Sequence, residues 1–495
     1  MVSMASGRIV VIGAGVAGLA TAALLGRRGY AVTLCEKNEE IGGRAGSLSV
    51  AGFRFDTGPS WYLMPEAYER FFAHFGTTPE REYGLTRLDP AYQVFQGERR
   101  VAVRTGEAEA LFDAIEPGSG ARLRGYLDSA SDAYRIALET FLYTTFEHPA
   151  RLLTPEVRGQ IPRLAGLLAR PLSTKTARVA RDPLLRHILE YPAMFLSSRP
   201  ERIPSLYHLM SHTDLRQGVW YPTGGFYAIV ESIARLAEQV GVRLNLGCEV
   251  TGIEVRAGRV RGVRTTQGFY AADAVVSAAD FHHTEHSLLP PACRSYSTRW
   301  WRGREPGPSV VLALLGVRGE LPGLQHHNLV FSPDWRPDFD AVFGGTGASH
   351  SLYVCKPSAT DPHVAPEGHE NLFVLVPAPA QESLGRGSAY GEGSTAVEAI
   401  ADRAVEQVAR AAGAPDLADR IVVRRTLGPG DFVGRYHAWR GGAIGPSHTL
   451  KQSAFFRGSQ VSHKVKGLFH AGATTLPGVG VPMCLISAEN ILQWF

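Results

Sequence analysis

The chain has 495 residues, of which 44% are hydrophobic and 20% charged, with a formal net charge of +4. It is too long for one simple core and too apolar to stay disordered, so two intertwined domains are expected. The mild charge and the lack of any recognition motif argue against nucleic acid as a partner.

In chain order, an apolar run at residues 9–12 leads straight into Gly13-Ala14-Gly15-Val16-Ala17-Gly18. Val16, Leu19, Ala20, Ala23 and Leu24 then recur at helical spacing, and a second apolar run at 31–35 ends at Glu36. Strand, glycine turn, helix, strand and acid is the order of a dinucleotide-binding unit. Gly13 permits the tight turn, Gly15 lets backbone approach a pyrophosphate, and Gly18 lets the helix pack closely on the sheet. The helix N-terminus offers unpaired N–H groups to phosphates. Glu36 can accept hydrogen bonds from an adenosine ribose and disfavours a 2′-phosphate, which argues against NADP. Gly42-Gly43-Arg44 suits a loop folded over the pyrophosphate, with Arg44 making a charge-assisted contact. Phe55-Asp56-Thr57-Gly58-Pro59-Ser60 follows.

Beyond this, the pattern predicts a helix over 62–83 anchored by Phe71, Phe72 and Phe75. Short strands near 92–95 and 100–104 flank the hairpin signal Gln96-Gly97-Glu98. A long helix is expected over 122–146. The stretch 151–186 carries Arg151, Arg158, Arg163, Arg170, Lys175, Arg178, Arg181 and Arg186 against only Glu156 and Asp182. Val157, Ile161, Leu164 and Leu168 recur there at helical spacing. Two readings stand: a basic amphipathic segment lying in a bilayer interface, or a helical lid whose arginines are solvated. Pro162 interrupts any single long helix. Gly218 to Phe226 contains Trp220-Tyr221-Pro222 and a glycine pair, and leads into a helix over 227–240. Four strands follow over 242–246, 249–256, 259–265 and 274–278. The region 310–427 is strand-rich, with apolar runs at 310–315, 352–355 and 373–376, then a helix over 394–412. The chain closes on a strand, a Gly/Pro-rich turn and a helix start within 467–483.

Five scattered cysteines without a Cys-x-x-Cys pair argue against disulfides or a zinc site and fit a reducing cytoplasm. His282-His283 and His326-His327 show no metal-ligand spacing on one face, so no metal is expected. Residues 1–7 lack the pattern of a signal peptide, and no apolar run reaches the roughly 18 residues of a spanning helix. Any membrane contact is expected at the surface.

The glycine turn with Glu36, Gly42-Gly43-Arg44, and residues 55–60, 218–226 and 467–483 together resemble the amine oxidase and carotenoid desaturase superfamily, which binds FAD rather than NAD. From end to end the chain resembles bacterial-type phytoene desaturases. The resemblance implies an α/β fold, a Rossmann-like FAD-binding domain interwoven with a substrate-binding domain of mixed sheet and helices. The FAD-binding parts would fall at 1–85, 218–285 and 431–495. A helical substrate- or membrane-facing part would span 86–217, and a substrate-binding sheet domain 286–430. FAD contacts are implied at Gly13, Ala14, Gly15, Gly18, Glu36, Gly43, Arg44, Gly58, Pro59, Ser60, Val250, Gly472, Ala473, Val481, Pro482 and Met483. Val250 would present its backbone to the adenine. The last helix would aim its N-terminus at the flavin ring, favouring the charge of the reduced form. Gly472 is followed by Ala473-Thr474 where many superfamily members carry an acid, a departure common in carotenoid desaturases.

The implied reaction is stepwise desaturation of phytoene towards lycopene, with FAD as hydride acceptor and a quinone or oxygen as final acceptor. It would take place in the cytoplasm, at the inner face of the cell membrane. A polyene offers no hydrogen-bonding handle, so a long apolar tunnel is expected, with orientation doing much of the catalytic work. Asp56, Arg44 and His470 lie in motifs, but no residue is assigned as catalytic acid or base. Alternatives are a desaturase or isomerase of another carotenoid (diapophytoene, hydroxyneurosporene, polycis-lycopene), or an amine oxidase with Trp220-Tyr221 or Trp300-Trp301 as an aromatic cage. A non-catalytic prenyl-lipid escort shares the fold, but the intact FAD set argues against it.

Overall fold

The computed structural model describes residues 7–145, 159 and 164–495. Five short strands form a parallel sheet in the order Leu468–His470, Ala274–Ser277, Arg8–Ile12, Ala31–Cys35, Arg243–Asn245. Its members come from the beginning, the middle and the end of the chain. The helix Val16–Arg27 is buried along nearly its whole length, because the sheet covers one side and two helices, Phe226–Gln239 and Val481–Ile491, cover the other. Leu19, Ala23, Ile229, Ile233, Leu485 and Ala488 meet in that core. This explains why the first helix is apolar all round rather than striped.

A second sheet has seven strands in the order Ile421–Leu427, Ser309–Arg318, His369–Ala378, Leu352–Cys355, His327–Phe331, Tyr92–Gln96, Arg99–Val103. All neighbours are antiparallel except His327–Phe331 with Tyr92–Gln96. The long strand Ser309–Arg318, second in this order, is buried on both faces. Val311, Ala313, Leu315 and Val317 pack under the helix Thr395–Ala412, while Val310, Leu312 and Leu314 face the other core. Gly316 leaves room for the Phe53 ring, whose Cζ lies 2.6 Å from where a Cβ would stand.

Several elements differ from the sequence reading. The hairpin within 86–217 joins the seven-stranded sheet, so that segment is not helical alone. The helix expected over 62–83 is two, Pro65–Ala73 and Pro79–Glu82. Pro65 can only start a helix, and Gly76, at φ +70, turns the chain between them. The long helix runs Ser119–Ile136 and widens into a π turn, Ala137–Leu142. A strand at Gly268–Ala271 adds to the expected set and pairs with Arg259–Thr265. Of the basic stretch, residues 151–158 and 160–163 lie outside the described residues. Its later part forms the short helices Leu172–Thr176 and Pro183–Glu190, and the second buries Leu184, Leu185, Ile188 and Leu189. Among the described residues no helix is long and apolar enough to cross a membrane.

Candidate cofactor and substrate site

A cavity of about 520 Å³ is lined from both sheets, and its lining has two chemically distinct parts. The first is a cradle built of backbone. Gly13, at φ +95, donates its N–H to Cys35 O at 2.8 Å and turns the chain into the helix Val16–Arg27. A Cβ on Gly18 would stand 1.8 Å from Gly13 O, so only glycine lets the helix start this close to the strand. A Cβ on Gly15 would meet nothing nearer than Gly42 O at 3.8 Å, so its absence leaves open space above the turn. The helix has no side-chain cap and no acid in its first turn, which leaves its N–H groups available to an anion.

Glu36 does more than the sequence reading assigns to it. Its carboxylate accepts Ala14 N–H at 2.7 Å, Asn38 N–H at 2.9 Å and Asn38 Nδ2–H at 2.8 Å, which ties the glycine turn to the loop after the second strand. Two carboxylate oxygens offer about four acceptor positions, so one remains for a ribose hydroxyl. Gly42 N–H donates to Ala14 O at 2.8 Å and closes the loop over the turn. A Cβ on Gly58 would stand 1.9 Å from Arg44 O. Arg44 pairs with Asp280 at 3.7 Å. Burial pushes the Asp280 carboxyl up, against the pull of Arg44 and of the backbone N–H groups it accepts.

Every residue that the resemblance assigns to the cofactor lines this cavity except Ala14 and Gly18, which shape the turn from behind. The closing helix Val481–Ile491 brings its uncapped N-terminus to the wall; Pro482 has no N–H, so Val481 and Met483 carry the free donors. Arg457 holds the preceding turn, donating from Nε to Thr475 O at 2.7 Å and from Nη2 to Ala473 O at 2.8 Å. It is buried without an ion pair among the described residues, and burial lowers its pKa to about 10. In the sequence it is one more arginine.

The second part of the lining is apolar, and includes Trp61, Tyr191, Phe195, Leu312, Phe373 and Leu375. Trp61 lies among the rings of Tyr92, Tyr191, Phe195 and Tyr353 and stacks on His327 with centroids 4.3 Å apart. Among the described residues Asp214 is the one carboxylate on this part. Its Oδ2 accepts Tyr191 OH at 2.7 Å and Tyr92 OH at 3.1 Å, while its buried Oδ1 has no hydrogen-bond partner among the described residues. Burial pushes its pKa up to about 7, and the two tyrosine hydroxyls restrain the rise. The sequence shows Asp214 as an ordinary helix-end acid, because only the fold turns it into an apolar cavity.

Other motif residues are structural. Asp56 accepts Phe226 N–H at 2.7 Å and Tyr227 N–H at 3.1 Å, capping the helix Phe226–Gln239, and burial pushes it up to about 6. His470 lies buried outside the cavity lining, its pKa lowered by burial to about 3. Trp220, Tyr221, Trp300 and Trp301 do not line the cavity, so the aromatic-cage reading has no site here.

The open space over Gly15, the bare helix ends, Glu36 and Arg44 fit the phosphates and ribose of a flavin dinucleotide. Residues 16–491 match the family described as flavin containing amine oxidoreductase. A carotenoid 3,4-desaturase of Haloarcula japonica is 38% identical over 98% of this chain and 97% of its own length. A zeta-carotene-forming phytoene desaturase of Myxococcus xanthus is 36% identical over 98% of this chain and 94% of its own. Solved structures with the same fold include an oxidoreductase from Methanosarcina mazei (TM-score 0.62, 16% identity, 98% of this chain and 100% of that one). Putrescine oxidase with putrescine bound is another (TM-score 0.60, 14% identity, 99% and 98%). At such identities these two speak for the fold alone. The chain is an FAD-dependent oxidoreductase. It belongs to the flavin-containing amine oxidoreductases, and within them to the FAD-dependent carotenoid desaturases.

Proposed function

We propose that the protein desaturates phytoene stepwise towards lycopene. The observation that carries this reading is the continuity of the backbone cradle with an apolar wall in one cavity. Bound FAD supplies the hydride acceptor. Gly13, Gly15, Glu36, Gly43, Arg44, Gly58, Pro59, Ser60, Val250, Gly472, Ala473, Val481, Pro482 and Met483 hold the dinucleotide, with Gly18 letting the helix start close to the turn and Ala14 fixing Glu36. The apolar wall orients a polyene that has no polar handle and excludes water from it. The Asp214 carboxylate, held through Oδ2 by Tyr191 and Tyr92, receives the proton lost from the substrate carbon.

The polyene reaches the cavity from a membrane surface, and a quinone or oxygen takes the electrons onward, at the inner face of the cell membrane. Leu450, Phe455 and Phe456 support the membrane reading, being 49%, 54% and 58% exposed. Their loop is tied to the cavity wall by Tyr207 OH and Ser453 Oγ at 3.0 Å. The name of the Haloarcula japonica relative favours a second reading, 3,4-desaturation of a carotenoid.

The test is incubation of purified, FAD-loaded protein with phytoene in liposomes and chromatography of the pigments. Conjugated products that absorb in the visible are expected, and their intermediates count the steps. Unchanged phytoene despite bound FAD overturns the phytoene reading, and a panel of longer and pre-conjugated carotenoids then decides the substrate. Phe455→Asp with Phe456→Asp should reduce co-sedimentation with the liposomes, and unchanged co-sedimentation overturns the membrane reading.

A further inference from the structure

Behind the apolar wall, His327–Phe331 pairs antiparallel with Leu352–Cys355, and the register sets His327 opposite Cys355. His326, just ahead of the strand, joins them, and one donor atom from each of the three side chains lies within 4.8 Å of the others. All three residues are buried. Each imidazole Nδ1 is hydrogen-bonded to a hydroxyl, that of His326 with Thr360 Oγ1 at 2.7 Å and that of His327 with Tyr353 OH at 2.7 Å. The Nε2 of each is buried with no hydrogen-bond partner among the described residues.

Buried polar atoms are almost always paired, so two orphaned ring nitrogens on adjacent residues, beside a thiol, need an explanation. Histidines that ligate metals carry this arrangement, one nitrogen anchored to an outer partner and the other turned to the ion. Two imidazoles and a thiol are donors for zinc(II) or copper(I), not for magnesium or calcium. Along its own element the histidine pair shows no metal-ligand spacing. The third donor comes from the neighbouring strand.

We propose that His326, His327 and Cys355 bind one thiophilic d10 cation, zinc(II) or copper(I). Binding replaces the thiol proton, which leaves to solvent, with a metal–sulfur bond and two metal–nitrogen bonds, and no oxidant is involved. With copper(I) the thiolate cancels the charge of the ion, whereas zinc(II) leaves one net positive charge and takes a fourth ligand. The ion braces the substrate wall: His327 stacks on Trp61, and Tyr353 holds both His327 and Ser60, whose Oγ lies 2.8 Å from its hydroxyl. Trp61, Tyr353 and Ser60 all line the cavity.

The test uses the FAD-loaded protein, dialysed against chelator and reloaded separately with zinc(II) or with copper(I) under reducing conditions. Metal analysis should find one ion per chain for the preferred metal. X-ray absorption at that metal's edge should show sulfur and nitrogen ligands together, for zinc at about 2.3 and 2.0–2.1 Å. Cys355→Ser should lose the ion while keeping its flavin, and Thr360→Val, which removes only an outer partner, should weaken retention about 10–100-fold. Cobalt(II) offered in place of zinc should give tetrahedral bands at wavelengths beyond the flavin's own absorption. The proposal is overturned if the unmodified protein retains neither ion, if the bound ion shows no sulfur ligand, or if Cys355→Ser retains it unchanged.

Discussion

Most of the groups that face the ligand in the cradle are backbone, joined by the side chains of Glu36 and Arg44, while Asp280 and Arg457 hold another side chain or backbone in place. Along the apolar wall the facing groups are the side chains themselves, brought from separate strands and helices. A cradle made of backbone depends on glycines that no other residue replaces. A wall made of side chains tolerates exchange of one apolar residue for another of similar volume. The first half of the cavity is therefore rigid in sequence and general in chemistry, and the second is adjustable and sets the substrate.

The largest test of that contrast is Gly18→Ala, whose Cβ would stand 1.8 Å from Gly13 O. The purified variant should lack flavin absorbance and all turnover, whereas Leu312→Trp in the wall should keep its flavin and lose turnover alone. A Gly18→Ala protein with full flavin content would break the distinction. Next, Asp214→Asn should keep its flavin while kcat falls about 10²–10⁴-fold, the usual contribution of a positioned proton acceptor, as measured by pigment formation.

The same variant tests the electrostatics of the wall. Burial raises the folded-state pKa of Asp214 to about 7 and of Asp56 to about 6. An unfolded aspartate titrates near 3.9. A raised folded value means that the folded state holds the proton more tightly, so its contribution is complete below about pH 4 and fades as pH rises through 6 and 7. The stability of Asp214→Asn relative to the native protein should therefore increase between pH 4 and pH 8, by up to about 4 kcal/mol in denaturant melts. A flat difference would place Asp214 in a more polar setting than the cavity wall. The smallest effect belongs to the rim of the cradle. Arg435 and Glu40 pair at 3.0 Å with Glu40 largely exposed, so Glu40→Gln should change stability by less than about 1 kcal/mol and leave flavin content alone.

The same contrast explains what could be read from the sequence. The glycine turn, Glu36 and Gly42-Gly43-Arg44 are legible because backbone geometry writes itself as fixed spacing within a short stretch. Asp280, the partner of Arg44, is not legible, since nothing in its own neighbourhood signals the pairing. Arg457 and Asp214 look like surface residues until the fold buries them, and Cys355 meets His327 only through strand register. The helix breaks at 62–83 turn on Gly76 and Pro65, which helical periodicity alone overrode. The apolar run 310–315 is legible as a strand, but which residues face the cavity depends on Thr395–Ala412 covering the other side.

The parallel sheet draws its edge strand Leu468–His470, and the helix Val481–Ile491 that seals the cradle, from far along the chain. During synthesis the glycine turn emerges more than 400 residues ahead of this strand and helix. The seven-stranded sheet has all its strands by Leu427 and is finished earlier. Closure of the cradle thus follows completion of the seven-stranded sheet, and a chain interrupted before Leu468 carries that sheet beside a cradle that cannot close.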